Sequence, residues 1–156
     1  LHEEKTRLIE FGCFAAGRRR RCGEGRPETF NFLGFTHYCA KTRRGRFIVL
    51  RKTQRERMIR KMKEMRGEMW WRMHHPVREQ HAWLSAVLRG YYAYYGLTGN
   101  SRSLGCFRYQ VCRAWHHVLM RRSQKRRMSW VRFAELLKVF PLPWPRIVYL
   151  WCRSEA

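Results

Sequence analysis

The chain has 156 residues, 34 of them Lys or Arg against 11 acidic side chains, with a formal charge of +23 and 45% hydrophobic and 15% aromatic content. That much apolar side chain excludes disorder throughout, and no apolar run approaches the roughly 18 residues of a membrane span. So large a positive charge destabilises a compact chain by self-repulsion unless a polyanion neutralises it. An anionic membrane surface would answer the charge alone, whereas charge and aromatics together point to nucleic acid.

Residues 1–11 turn from polar to apolar and predict a loop or helix end feeding a short strand. Residues 17–28 hold Gly17, Gly23, Gly25 and Pro27 around a run of arginines and predict a flexible basic loop. Residues 29–38 (TFNFLGFTHY) and 46–51 (RFIVLR) are strand-like, with Phe30, Phe32 and Gly34 on one side of the first. The basic stretch between them, ending in Gly45, predicts a β-hairpin.

From Thr53 the period changes. Thr53 and Glu56 match a capping box, so a helix is expected to start there. Met58, Met62, Met65 and Met69 recur on one face, as adaptable core side chains do. The helix should stop at His74 and His75, before Pro76. A second helix is expected over residues 77–95, with Trp83, Leu84, Val87, Leu88, Tyr91 and Tyr95 facing inward. After the break at 96–100, a third should run over 101–122 on a core stripe of Leu104, Phe107, Val111, Trp115, Val118 and Leu119. A short fourth helix should start at Ser129 and end before Pro141, followed by an extended tail through Pro143 and Pro145. The fold class expected is α+β, predominantly α, with residues 1–52, 53–145 and 146–156 as hairpin region, helical bundle and tail.

Candidate anion-binding groups follow from this layout. Arg18, Arg19, Arg20 and Arg21 form either a solvated charge run or a mobile arm that drapes on RNA. Lys41, Arg43, Arg44 and Arg46 cluster at the hairpin tip, where like charges repel unless an anion is near. Arg55, Arg60 and Lys63 lie off the methionine stripe, and Arg89 accompanies the tyrosine cluster. Tyr92 and Tyr94 fall off the main stripe of the second helix and are the expected stacking residues. Asn100, Ser101 and Arg102 open the third helix, whose free N–H groups can hold a phosphate or simply be capped. Arg108, Arg113, Arg121 and Arg122 lie off that helix's stripe. His116 and His117 are expected to be packed or solvent-facing.

All 11 acidic residues are Glu and the chain has no Asp. Two-metal polymerase and nuclease sites are built on carboxylates that usually include Asp, so no catalytic residue and no metal ligand is expected here. Cys13, Cys22, Cys39, Cys106, Cys112 and Cys152 are expected as reduced thiols, and Cys13, Cys22, His37 and Cys39 have no zinc-ligand spacing. The chain opens on Leu1, from which a piece of a longer protein is expected.

Four strings carry a family resemblance. LHEEKTRLIEFG resembles the palm segment that follows the catalytic strands of group II intron reverse transcriptases, and TFNFLGFTHYCAKTRRGRF, with FLGF as its signature, resembles the end of that palm. LRGYYAYYGLTGNSRSL and FRYQVCRAWHHVLMRRSQ resemble the maturase-specific thumb, domain X. The likeness runs from Leu1 to about Pro145. It departs from the family in lacking the YADD box, the fingers and the Cys/His-rich endonuclease module, and in having Cys at positions 13 and 22.

The resemblance implies an RNA-binding maturase portion that helps intron RNA fold for splicing and clamps the template–primer duplex. Its implied partners are group II intron RNA, an RNA/DNA template–primer duplex and the missing fingers and palm, with no membrane, in a bacterial rather than an organellar cytoplasm. Lys5 and Thr6 would stand beside the primer end. No cofactor is implied for this chain; Mg2+ belongs to the full reverse transcriptase. Two other readings remain: a portion of a complete RNA-directed DNA polymerase whose palm lies upstream, and a generic basic nucleic-acid-binding protein.

Overall fold

A computed structural model describes residues 8–122 and 128–149. The segments at Lys5 and Thr6, at Gln124 and at Cys152 lie outside the described residues. The fold is α+β and predominantly α, and it forms two compact units that meet in sequence between Gln54 and Arg55.

The first unit contains a short helix, α1 (Ala15–Arg21), and an antiparallel sheet of β1 (Phe30–Phe32), β2 (Phe35–Lys41) and β3 (Phe47–Thr53) in that order. The flexible loop expected around the arginines is therefore helical over 15–21. Gly23, in the left-handed region at φ 70, is its stop signal. Its N–H donates to Arg20 O and that of Glu24 to Arg19 O, the paired bonds of a Schellman ending. Arg18, Arg19, Arg20 and Arg21 occupy the last turn, where the helix dipole favours cations.

The expected first strand is two strands. Leu33 and Gly34 both have positive φ, 48 and 79, and reverse the chain so that Phe32 pairs with Phe35. Two left-handed residues in a two-residue loop follow the right-handed twist of the flanking strands. Phe30 then stacks on His37 across the pair, at 4.7 Å between ring centroids, and Phe11 meets Phe30 edge-on at 5.0 Å. Phe35 and His37 are buried and Phe32 is exposed. The second hairpin closes as Gly45 N–H donates to Thr42 O and Thr42 N–H to Arg46 O, with Gly45 left-handed at φ 78. Thr53 belongs to the sheet, paired with Phe35, rather than to the helix it was expected to cap.

The second unit packs α2 (Arg55–Trp71), α3 (Val77–Tyr95), α4 (Ser101–Arg121) and α5 (Trp130–Val139) around one core. Met62, Met65 and Met69 enter it from α2, and Leu84, Leu88 and Tyr91 from α3. Leu104, Phe107, Val111, Trp115, Val118 and Leu119 enter from α4, all on the expected stripe. Burying an aliphatic or aromatic side chain contributes about 1.5–3 kcal/mol, so α4 is the central helix of this unit. Tyr91 and Phe107 stack at 3.7 Å between centroids, and Phe133 of α5 meets Trp115 edge-on at 5.7 Å. Ser129 caps α5 by accepting from Arg132 N–H.

The proline segment after α5 is extended and belongs to this unit. Leu142 is buried, and the carbonyl of Pro141 lies 3.0 Å from His81 Nε2. Farther on, the N–H groups of Val148 and Tyr149 donate to Gly96 O. A Cβ at Gly96 would overlap the carbonyl oxygens of Tyr92 and Arg146, so only glycine lets the segment lie this close. Residues 146–149, set apart in the sequence as a tail, thus pair with the α3–α4 loop.

Candidate nucleic-acid interface

The outward side of α2 is cationic because its methionines take the inward side. Arg55, Arg57, Arg60, Lys63 and Arg66 are exposed. Glu64 and Glu68 pair with Lys61 and Arg72 at 3.3 and 3.5 Å. Among the described residues, no carboxylate forms an ion pair with Arg60, Lys63 or Arg66. Beside this face a cavity of about 430 Å³ opens between α2 and α3, with Arg57, Arg60, Lys61 and the Lys61-paired Glu64 on one wall and Tyr91 and Tyr95 on the other. Gly90 stands on the α3 wall with open space where a Cβ would be. Burial pushes the Tyr95 phenol up, Tyr94 adds to the shift, and the Arg57 charge opposes it. Tyr94 itself is 54% exposed, with its ring edge-on to Tyr95 at 4.7 Å. The cationic wall offers phosphates a charged surface, and the exposed Tyr94 ring beside it on α3 offers bases a stacking surface.

In the first unit, Lys41, Arg43, Arg44 and Arg46 are all exposed at the tip of the second hairpin. Arg20 and Arg21 are exposed as well. Arg19 is instead held, its Nη2 3.2 Å from Glu24 and its Nε donating to Gly25 O, while Arg18 pairs with Glu10 at 3.5 Å.

Three expected contacts are corrected. Tyr92 is 3% exposed and cannot stack on a base: its hydroxyl donates to Pro143 O at 3.3 Å, and burial raises its pKa to about 12. It lies off the stripe facing α4 because it faces the proline segment. Asn100 is fully buried, and its Nδ2 donates to Tyr95 O at 2.8 Å, which holds the α3–α4 turn rather than a phosphate. Arg108 is half-buried, donating to Pro143 O and Leu142 O while its guanidinium lies 3.8 Å from the Trp144 ring centroid. Its task is to pin the proline segment.

Arg89, Ser101, Arg102, Arg113, Arg121 and Arg122 are exposed, and Arg122 donates to His74 O. His116 is buried, with Nε2 2.9 Å from Met128 O, and His117 is exposed. Reading the sequence for cations singles out Arg113 on α4 but not the Gly105, Tyr109 and Cys112 that share its side of the helix. With Trp130 and Trp144 they line a further cavity of about 450 Å³. The signal was present as i, i+4, i+7, i+8 spacing opposite the core stripe.

Among the described residues no helix is long and apolar enough to cross a membrane, and no three His, Cys, Asp or Glu side chains gather into a group that could hold a metal ion. Comparison with family models, with curated proteins and with solved structures finds no match to this chain.

Proposed function

We propose that this chain is the RNA-binding, C-terminal part of a group II intron-encoded protein, joining the end of a reverse-transcriptase palm to a maturase-type thumb. In this reading the three-stranded sheet corresponds to the palm end and the four helices to the thumb. The chain assists intron RNA folding and steadies a template–primer duplex, in a bacterial cytoplasm, while polymerisation and its Mg2+ belong to a palm outside this sequence.

The observation that carries the reading is the outward face of α2. Arg55, Arg57, Arg60, Lys63 and Arg66 are exposed along one helix beside a tyrosine-walled cavity. Exposed like charges at such spacing repel, and a phosphate backbone turns that repulsion into attraction while releasing counterions. The order of the FLGF and YYGLTGNSR strings supports the maturase assignment over a generic basic coat.

The test is a comparison of affinities for a structured group II intron RNA and an unrelated structured RNA of equal length, at matched salt. The proposal expects clearly tighter binding of the intron RNA. Equal affinities would leave only a generic basic binder.

A further inference from the structure

We propose that the groove between α4 and α5, continued past Trp130 to Arg66 at the edge of the cationic α2 face, is a stacking track for unpaired nucleotides; the proposal rests on the RNA-binding reading and names the part of the RNA this surface takes. Two cavities meet there. The first, about 450 Å³, is walled by Tyr109, Trp130 and Trp144; the second, about 580 Å³, by Arg66, Trp70 and His117. Trp130 and Arg113 line both, so the two form one surface crossing α4.

The aromatics are held in place yet open. Trp130 is 56% exposed, with one face stacked on His116 at 3.8 Å and its edge against Phe133 at 5.9 Å. Trp144 is 73% exposed, and the guanidinium of Arg108 covers it at 3.8 Å, itself fixed by two backbone carbonyls. Tyr109 is 58% exposed, with Arg113 5.8 Å from its ring centroid. Large aromatics this open are costly to leave in water, and rings fixed by a neighbour on one side lose little freedom when a ligand stacks on the other.

Charge selects the occupant. Among the described residues no carboxylate lines either cavity, while Arg66, Arg108 and Arg113 do. A second copy of the chain, at +23, would be repelled. A nucleic acid brings phosphates for the arginines and flat bases for the exposed rings. A duplex shows its grooves and backbone only, so the bases that can enter are those of single-stranded loops, bulges or ends.

The test uses the full chain, a 12-nucleotide unstructured RNA and a 12-base-pair RNA duplex of mixed sequence, with affinities measured at one salt concentration. Tyr109→Ala combined with Trp144→Ala should weaken single-strand binding roughly tenfold or more and leave duplex binding within about twofold. Unchanged single-strand affinity, or equal losses for both RNAs, overturns the stacking track while the wild-type protein's RNA binding stands. Failure of the wild-type chain to bind either RNA overturns the RNA-binding reading itself. A second measurement needs no variant: photocrosslinking of a 5-bromouridine-containing single strand, mapped by mass spectrometry. Adducts at Tyr109, Trp130 or Trp144 are expected, and adducts confined to other residues contradict the proposal.

Discussion

The indole Nε1 of Trp115 donates to Gln80 Oε1 at 2.9 Å inside the helical unit, and Gln80 Nε2 in turn lies 3.0, 3.1 and 2.9 Å from the carbonyls of Arg72, Met73 and His75. One buried amide thus ties the central helix α4 to the turn that joins α2 and α3. α2 ends at Trp71, four residues before the expected stop at His75, and the turn that leads to Pro76 leaves carbonyls that need donors; the Gln80 amide shares its N–H groups among them from the first turn of α3.

Two substitutions separate packing from hydrogen bonding in this link. Trp115→Ala should lower unfolding free energy by about 3–5 kcal/mol by opening a cavity. Trp115→Phe keeps most of the ring and leaves Gln80 Oε1 short of a donor, at about 1–3 kcal/mol. Denaturant unfolding of the helical signal measures both, and an unchanged midpoint for Trp115→Ala would contradict the assignment of this side chain to the core.

Leu33 adopts a left-handed conformation, which costs a non-glycine residue roughly 1–2 kcal/mol, and Asn adopts it more readily. Its side chain is 67% exposed, so little packing is lost on replacement. Leu33→Asn creates the Asn-Gly pair favoured in such turns and should stabilise the sheet by about 1 kcal/mol. Slower amide hydrogen exchange in β1 and β2 would register the gain, and faster exchange would mean that Leu33 packs more than its exposure suggests.

Stability should fall at both pH extremes, for separate reasons. The Tyr92 phenol is raised to about 12 by burial, so the folded state holds its proton while the unfolded chain loses it near 10. Its contribution is therefore complete below pH 10 and lost as pH climbs towards 12. Tyr92→Phe should flatten that decline in an alkaline unfolding series. His37 is lowered, first by burial and then by the Arg51 charge, so the neutral ring is favoured in the folded first unit. Its contribution is present above about pH 6.5 and lost as pH falls below that value. Protection factors of β2 amides, with the intrinsic pH dependence of exchange divided out, should fall on acidification through this range.

Much of the helical unit was legible because a single periodic signal governs each helix. Met62, Met65 and Met69 are buried where their spacing puts them, and the six apolar residues of α4 form the stripe the sequence spells. What was not legible depends on a third element. Tyr92 reads as a surface ring in the sequence because the proline segment that covers it lies about 50 residues away. Arg108 reads as an outward charge for the same reason. Glycines misled in the first unit: Gly23 ends a helix, and Gly34 turns a chain that alternation alone would have kept straight. The aromatic groove went unseen because Trp130 and Trp144 fall outside the helix whose outward stripe they complete.

The salt dependence of RNA binding tests the cationic face of α2 most directly. Each phosphate contact contributes roughly 0.7–0.9 to the slope of log affinity against log salt. Replacing Arg55, Arg60 and Lys63 with Gln, with helix content verified as unchanged, should flatten the slope by about 2–3 for a structured intron RNA. A variant that keeps the wild-type slope would contradict the account, because the exposed cations of α2 would then not be meeting phosphate.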